Sequence, residues 1–163
     1  MTNFMSFTRA KLILSVIAFS VLVSVSCAKK EPEPLVESFV SYLNINQLMN
    51  WVIDPAADAV WDSVAWYSTT SGEKMIAPKT EEQWSNLRNS AATLMEASNL
   101  LLINERAKGD EKWIKFAKNL GLSAKKALVA IDAKNPQAVF DTGTLIDGAC
   151  EDCHKVFAYP NRK

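Results

Sequence analysis

Apolar side chains recur at every third or fourth position in four stretches of the chain, which is the spacing of amphipathic helices. The first stretch covers residues 35–67, and the fourth runs from residue 136 to residue 159. The second starts near residue 80 and the third after residue 110. No alternation typical of a strand is present in the sequence. The pattern therefore predicts an all-α fold, an antiparallel four-helix bundle built from residues 35–163.

Short motifs indicate where these helices begin and end. Residues 80–83, Thr-Glu-Glu-Gln, form a capping box at the start of the second helix, and Asp110 is placed to cap the third. Pro55 interrupts the first stretch, so with Asp54 as N-cap it predicts either a new helix start or a kink. A glycine, a proline and several small polar residues predict a loop over residues 68–79.

The last predicted helix carries two cysteines on its buried stripe. The members of this stripe share one face at helical spacing: Val139, Gly143, Ile146, Cys150, Cys153 and Phe157. Trp51 and Trp66, by contrast, lie off the main apolar stripe of the first helical stretch. We interpret these two tryptophans as candidates for a homodimer face, and the other tryptophans as core.

The N-terminus predicts an exported protein. Residues 1–26 hold two basic residues followed by an uninterrupted apolar and small-residue run, the pattern of a secretory signal peptide. Cys27 and the proline-punctuated polar stretch after it predict a lipidated cysteine and tether over residues 27–34, on the periplasmic side of a bacterial membrane. Ordinary cleavage nearby, leaving Cys27 free or removed, is the alternative.

Length and charge limit the remaining function classes. The chain has 163 residues, enough for one domain, and a formal net charge of zero, which gives no indication of nucleic-acid binding. Removing residues 1–26 takes away Arg9 and Lys11, so 16 basic and 18 acidic residues remain, a formal charge of −2. A mildly acidic surface is compatible with basic patches on redox partner proteins.

The most informative motif is Cys150-Glu151-Asp152-Cys153-His154, the C-x-x-C-H pattern of covalent haem attachment. Two thiols three residues apart on a helix can reach the two vinyl groups of one porphyrin, and the adjacent imidazole can bind the iron. His154 is the only histidine, so the sequence predicts one covalent haem c and no bis-histidine coordination.

Three other readings of the two cysteines are open. A thioredoxin-like pair is expected at the start of a helix with a lowered thiol pKa, whereas these cysteines come late in a helix and flank two acidic residues. A structural zinc site usually needs four Cys or His ligands, and only Cys27 could be added to Cys150, Cys153 and His154. A structural disulfide would leave the histidine unexplained.

The haem motif near the end of four helices, Cys-Glu-Asp-Cys-His-Lys-Val-Phe, resembles that of the cytochrome c prime family and its six-coordinate low-spin relatives. The resemblance extends over about residues 35–159, and the run 48–57 is similar to that of exported members of this group. It implies a haem inside the bundle, covered by the first helix. In the low-spin relatives a methionine of that helix binds the iron, which implies Met49 here.

The resemblance also implies two competing functions. With Met49 and His154 as axial ligands the protein transfers single electrons and is not an enzyme, so no catalytic acid or base is expected. With His154 alone it is a five-coordinate protein that binds nitric oxide or carbon monoxide. Gas-binding members usually have arginine four residues after the haem histidine, where this chain has Ala158. A thiol oxidoreductase without haem is the third hypothesis.

Overall fold

The chain is mostly helical. The computed structural model describes residues 39–159, of which 70% are helical and 8% lie in strands. The predicted signal peptide and tether lie outside the described residues. Within residues 39–159, no helix is both long and apolar enough to cross a membrane. The elements in chain order are α1 (Ile45–Leu48), a π-helical turn (Met49–Ile53), α2 (Asp54–Trp61), β1 (Ala65–Thr69), β2 (Gly72–Ile76), α3 (Glu81–Leu100), α4 (Asn104–Ala107), α5 (Glu111–Asp132) and α6 (Pro136–Phe157).

The three longest helices begin with side-chain caps. The Thr80 hydroxyl accepts a hydrogen bond from the Gln83 amide while the Gln83 side chain accepts one from the Thr80 amide, which confirms the predicted capping box. Asp110 accepts from two amides of the first turn of α5, as predicted. Asn135 caps α6 through the Ala138 amide at 3.1 Å. These caps satisfy amides that have no partner inside the helix.

The core lies where α5 packs between α3 and α6. Its largest fully buried side chains include Leu94 on α3, Ile131 on α5 and Ile146 on α6, and Ile146 belongs to the stripe predicted for the last helix. A Cβ atom at Gly121 would overlap the hydroxyl of Ser98. The glycine therefore allows α5 to approach α3 closely, which accounts for a residue that costs about 1 kcal/mol relative to alanine inside a helix.

The region after the first helical stretch differs from the prediction. Helix α2 ends at Trp61, and the chain forms a β-hairpin in which Ala65 faces Ile76 and Thr69 faces Gly72. The predicted loop over residues 68–79 is therefore wrong, as is the helical placement of Trp66. Tryptophan, tyrosine and threonine favour strands, and Gly72 supplies the positive φ of 116° that the turn requires.

Pro55 lies in the first turn of α2, which follows the π-helical turn without a break. Proline has no amide hydrogen and its ring crowds the carbonyl four residues earlier. The preceding turn widens into the π-helical form, in which the Asp54 amide donates to the carbonyl of Met49. The N-cap of α2 is Ile53 and Asp54 is the first residue inside the helix, so the predicted role of Asp54 as N-cap is wrong.

Candidate functional site

Four residues that the sequence singled out lie around one cavity. Cys150, Cys153 and His154 of α6 line it together with Met49, which opens the π-helical turn about a hundred residues earlier in the chain. The other lining residues are Ile53, Leu101, Phe116, Ala117, Leu120 and Ala149. Apart from the histidine and the sulfur atoms the lining is apolar. The fold therefore brings two thiols, an imidazole and a thioether together in a poorly hydrated space.

Helix α6 presents its three site residues on a single face. Positions i, i+3 and i+4 of a helix are neighbours on its surface, which places Cys150 beside Cys153 and His154. Both cysteines and the histidine are half-buried, and both thiols are free. On the outer side of the same turns, Lys155 and Glu151 form an exposed ion pair at 3.4 Å. The charged half of the motif thus faces solvent while its sulfur and nitrogen atoms face the cavity.

The helix that carries Met49 is fixed against α6 by a tryptophan. The Trp61 indole Nε1 donates to the carbonyl of Gly143 at 3.0 Å. A Cβ atom at Gly143 would lie 3.2 Å from the Trp61 ring, so glycine permits this close approach. Leu48 and Ile53 are buried on either side of Met49 and anchor its turn in the core. Met49 is therefore held at the cavity by its neighbours in sequence.

Aromatic side chains cluster beside Phe116, the aromatic residue of the cavity lining. The Trp113 indole donates to the carbonyl of Leu101 at 2.7 Å, which fixes the chain just after α3. The Phe157 ring meets the rings of Trp113 and Phe116 edge to face, with centroids 5.1 and 6.3 Å apart. These contacts connect the end of α6, just after the histidine, to the start of α5.

Burial makes both thiols weak acids. It raises the pKa of Cys150 to about 11, with smaller contributions from the negative charges of Asp147 and other nearby acidic groups. Burial also raises the pKa of Cys153. Catalytic thiols of disulfide oxidoreductases instead have lowered pKa values, because the thiolate is the nucleophile. The environment therefore disfavours thiol–disulfide chemistry at neutral pH.

We expect the Cys150 thiol of haem-free protein to react slowly with iodoacetamide at pH 7. The rate of this reaction should rise with pH, with a midpoint near pH 11. The measurement uses a chain with Cys27→Ala and Cys153→Ala, so that one thiol remains. Asp147→Asn is the matched variant and should lower the midpoint, since its carboxylate opposes thiolate formation. A midpoint at or below pH 8 would contradict the buried environment.

The donor set fits a covalent haem, but the cavity as it stands is too small to hold one. The cavity volume is about 40 Å³, below the roughly 300–1,000 Å³ usual for ligand sites. Phe116 also lines a groove of about 620 Å³ on the outside of α5. Phe116 lines both spaces, so a haem held by these residues requires this lining to open.

The sequence identifies the sulfur and nitrogen donors of the site but not the apolar residues that line the cavity. Leu101, Phe116 and Leu120 fall at apolar positions of the helical pattern, and periodicity shows which face of a helix is buried but not what that face covers. Within residues 39–159, no three His, Cys, Asp or Glu side chains are grouped to hold a metal ion.

No family model, curated protein or solved structure was found to match the chain.

Proposed function

We propose that the chain is an exported monohaem c-type cytochrome that transfers single electrons and catalyses no bond chemistry. Its helices form an antiparallel four-helix bundle around haem c. The predicted signal peptide directs it to the periplasmic side of the membrane, where lipidated Cys27 anchors it. Its partners are other redox proteins, and exposed Trp51 remains a candidate for a homodimer face. Trp66 lies on β1 instead of the first helix, and its ring packs edge to face on Phe140.

The shared cavity is the observation that carries this proposal. The C-x-x-C-H motif alone accounts for Cys150, Cys153 and His154, but it does not explain why a methionine from a distant helix lines the same space. Core filling by methionine is common. Here, however, Met49 is at the start of a π-helical turn, a rare form found often at functional sites.

Each site residue has a separate task. Cys150 and Cys153 would hold the porphyrin through two thioether bonds, formed by addition of each thiol to a vinyl group. His154 would supply an imidazole nitrogen to the iron, and Met49 would supply its thioether sulfur. The bound haem supplies one-electron redox chemistry. Ile53, Leu101 and Leu120 exclude water, which keeps the surroundings of the iron apolar.

Ile53 favours a second candidate function, binding of nitric oxide or carbon monoxide. It is buried, one helical turn after Met49, and lines the same cavity. If Ile53 covers the distal face instead of Met49 binding it, His154 is the only protein ligand. The iron would then be five-coordinate and open to a small gas.

The absorption spectrum of the oxidised protein, matured in a host that attaches haem, tests the proposal. We expect one haem per chain that stays attached after denaturation, with a weak far-red band from iron bound to methionine sulfur. A covalent haem with a high-spin ferric spectrum would support the gas-binding function instead. A colourless protein with two titratable thiols at residues 150 and 153 would contradict both.

A further inference from the structure

Two buried polar atoms of residues 39–159 have no hydrogen-bond partner, and their side chains line the same cavity. The atoms are the hydroxyl oxygen of Ser41 and Nε of Arg106. The cavity has a volume of about 430 Å³, within the range usual for ligand sites, and it shares no lining residue with the cavity at Cys150. A buried polar group without a partner costs stability. Two of them at one place therefore indicate a site that a ligand completes.

The Arg106 guanidinium is fixed in position and has donors left over. Its two Nη atoms donate to the carbonyls of Leu100 and Leu43, at 2.6 and 2.8 Å. A guanidinium has five N–H donors, so three of them, including that of Nε, have no partner among the described residues. Nε and a neighbouring Nη form a planar edge that can bind two oxygens of one anion. Arg106 is thus suited to bind an oxyanion.

The charge at this cavity also favours an anion. Lys108 lines it and forms none of the ion pairs found in the described part of the chain. Glu105 contributes a single carboxylate, so Arg106 and Lys108 leave a formal charge of +1. Glu105 is exposed, whereas Arg106 is half-buried, so water screens the carboxylate more strongly. Because arginine can only donate, the missing partner is an acceptor.

Three exposed apolar side chains flank Ser41 in the sequence. Phe39, Val40 and Tyr42 are 75, 61 and 91% exposed. The segment is nevertheless attached to the fold, because Leu43 packs against the core and its carbonyl accepts from Arg106. Adjacent exposed apolar residues commonly mark an interaction surface. Aromatic rings next to basic side chains are typical of a surface at a membrane interface.

The sequence connects this segment closely to the predicted membrane anchor. Twelve residues separate Phe39 from Cys27, a length that spans at most about 40 Å when extended. Lys29 and Lys30 in the predicted tether add positive charge, which attracts anionic lipids. An anionic phospholipid offers a phosphate to the unpartnered donors and an apolar boundary to the exposed side chains. No soluble anion offers both.

We propose that the cavity at Ser41, Arg106 and Lys108 binds the phosphate of an anionic lipid headgroup, while Phe39 and Tyr42 enter the lipid interface. This inference rests on the proposed membrane anchor. The face formed by α4 and residues 39–45 then lies toward the bilayer. One headgroup and a few side chains give only reversible binding. A chain without the anchor is therefore still released from a washed membrane fraction.

The test uses the mature chain with Cys27→Ala, so that the lipid anchor does not contribute. Partition into phosphatidylglycerol vesicles is measured by sedimentation, for this chain and for one with Ser41→Ala and Lys108→Asn added. We expect the added changes to lower the partition coefficient about tenfold, and phosphatidylcholine vesicles to bind both chains weakly. The φ of Lys108 is 49°, which asparagine tolerates, so the variant removes the charge without backbone strain.

The matched control is Ser85→Ala with Lys134→Asn in the same chain. Lys134 has a φ of 48°, is exposed and forms an ion pair with Glu81, and neither Ser85 nor Lys134 lines the cavity. The control therefore removes one hydroxyl and one charge at a matched backbone conformation. We expect it to change the partition coefficient less than about twofold. An equal loss in both chains would mean that net charge alone matters, which overturns the proposal.

Inorganic phosphate separates a lipid headgroup from a free anion. Calorimetry should detect weak, saturable binding of phosphate that the Ser41 and Lys108 variant loses. Tyr42→Ser should keep this binding and lower the vesicle partition coefficient. Phosphate binding together with vesicle partition that neither variant changes would assign the site to a free anion and overturn the proposal. Absence of both kinds of binding would also overturn it, as would a concentration-dependent dimer that Tyr42→Ser removes while vesicles do not bind.

The state of the haem and of the anchor is measured separately. Phosphate binding to haem-free protein that disappears in haem-bound protein would assign Arg106 to the carboxylates of the haem and overturn the proposal. Mass spectrometry that finds no covalent haem or no lipid on Cys27 would contradict the proposed function. The vesicle measurement follows protein absorbance in an unlipidated chain, so it tests the headgroup site in either case.

Discussion

Replacing Met49 with leucine will abolish the far-red band of the oxidised protein and give a high-spin ferric spectrum. Leucine has nearly the volume of methionine but no sulfur to donate to the iron. A thioether ligand favours the ferrous state, so its loss should stabilise the ferric form. The reduction potential should therefore fall. Absorption spectroscopy and a potentiometric titration measure the two effects, and carbon monoxide should bind the reduced variant faster than the wild type.

Met95→Leu is the matched control for this variant. Met95 lies half-buried on α3, packs against the same core and does not line the cavity. Exchanges of similar volume cost less than about 1.5 kcal/mol, so both variants should fold. A spectrum altered equally by both replacements would indicate a general loss of packing. If the wild type lacks the far-red band and its spectrum is unchanged by Met49→Leu, Met49 does not bind the iron.

Replacing both Cys150 and Cys153 with alanine will remove covalent haem completely. Both thioether bonds depend on these thiols, so a porphyrin bound by His154 and Met49 alone should dissociate in denaturant. Haem staining of a denaturing gel measures this directly, and we expect no signal from the double variant. Each single variant keeps one thiol and should retain a reduced amount of covalent haem.

Cys27→Ala is the control within the same chain. It removes the remaining cysteine, which belongs to the predicted lipid anchor and not to the cavity. We expect full haem staining but release of the protein from the membrane fraction. Staining that survives in the Cys150 and Cys153 double variant would show that the motif is not the attachment site.

The helices of this protein could be predicted because their signals are local. The capping box at residues 80–83, the cap at Asp110 and the apolar stripes each depend on residues within a few turns. The hairpin at Ala65–Thr69 and Gly72–Ile76 escaped prediction because ten residues are too few for a clear alternation, and most of them are exposed on both faces. Its pairing depends on the turn at Gly72 rather than on an apolar pattern.

The site was predictable in its chemistry and not in its surroundings. The C-x-x-C-H motif is compatible with few kinds of site, and Met49 is the only methionine on the first helical stretch. No sequence pattern, however, places Phe116 between a cavity and a groove, since that position depends on how α5 packs beside α6. The neutral state of the thiols was partly foreseeable from acidic neighbours, but burial is its main cause.

The widened turn at Met49–Ile53 also determines the rotational phase of the helix. A π-helical turn accommodates one residue more than an α-helical turn, and one residue corresponds to about 100° of rotation. Helix α1 is therefore rotated relative to α2, while Trp61 keeps α2 fixed on α6. Pro55, six residues further along the chain, thus determines the angle at which Met49 is presented relative to α2.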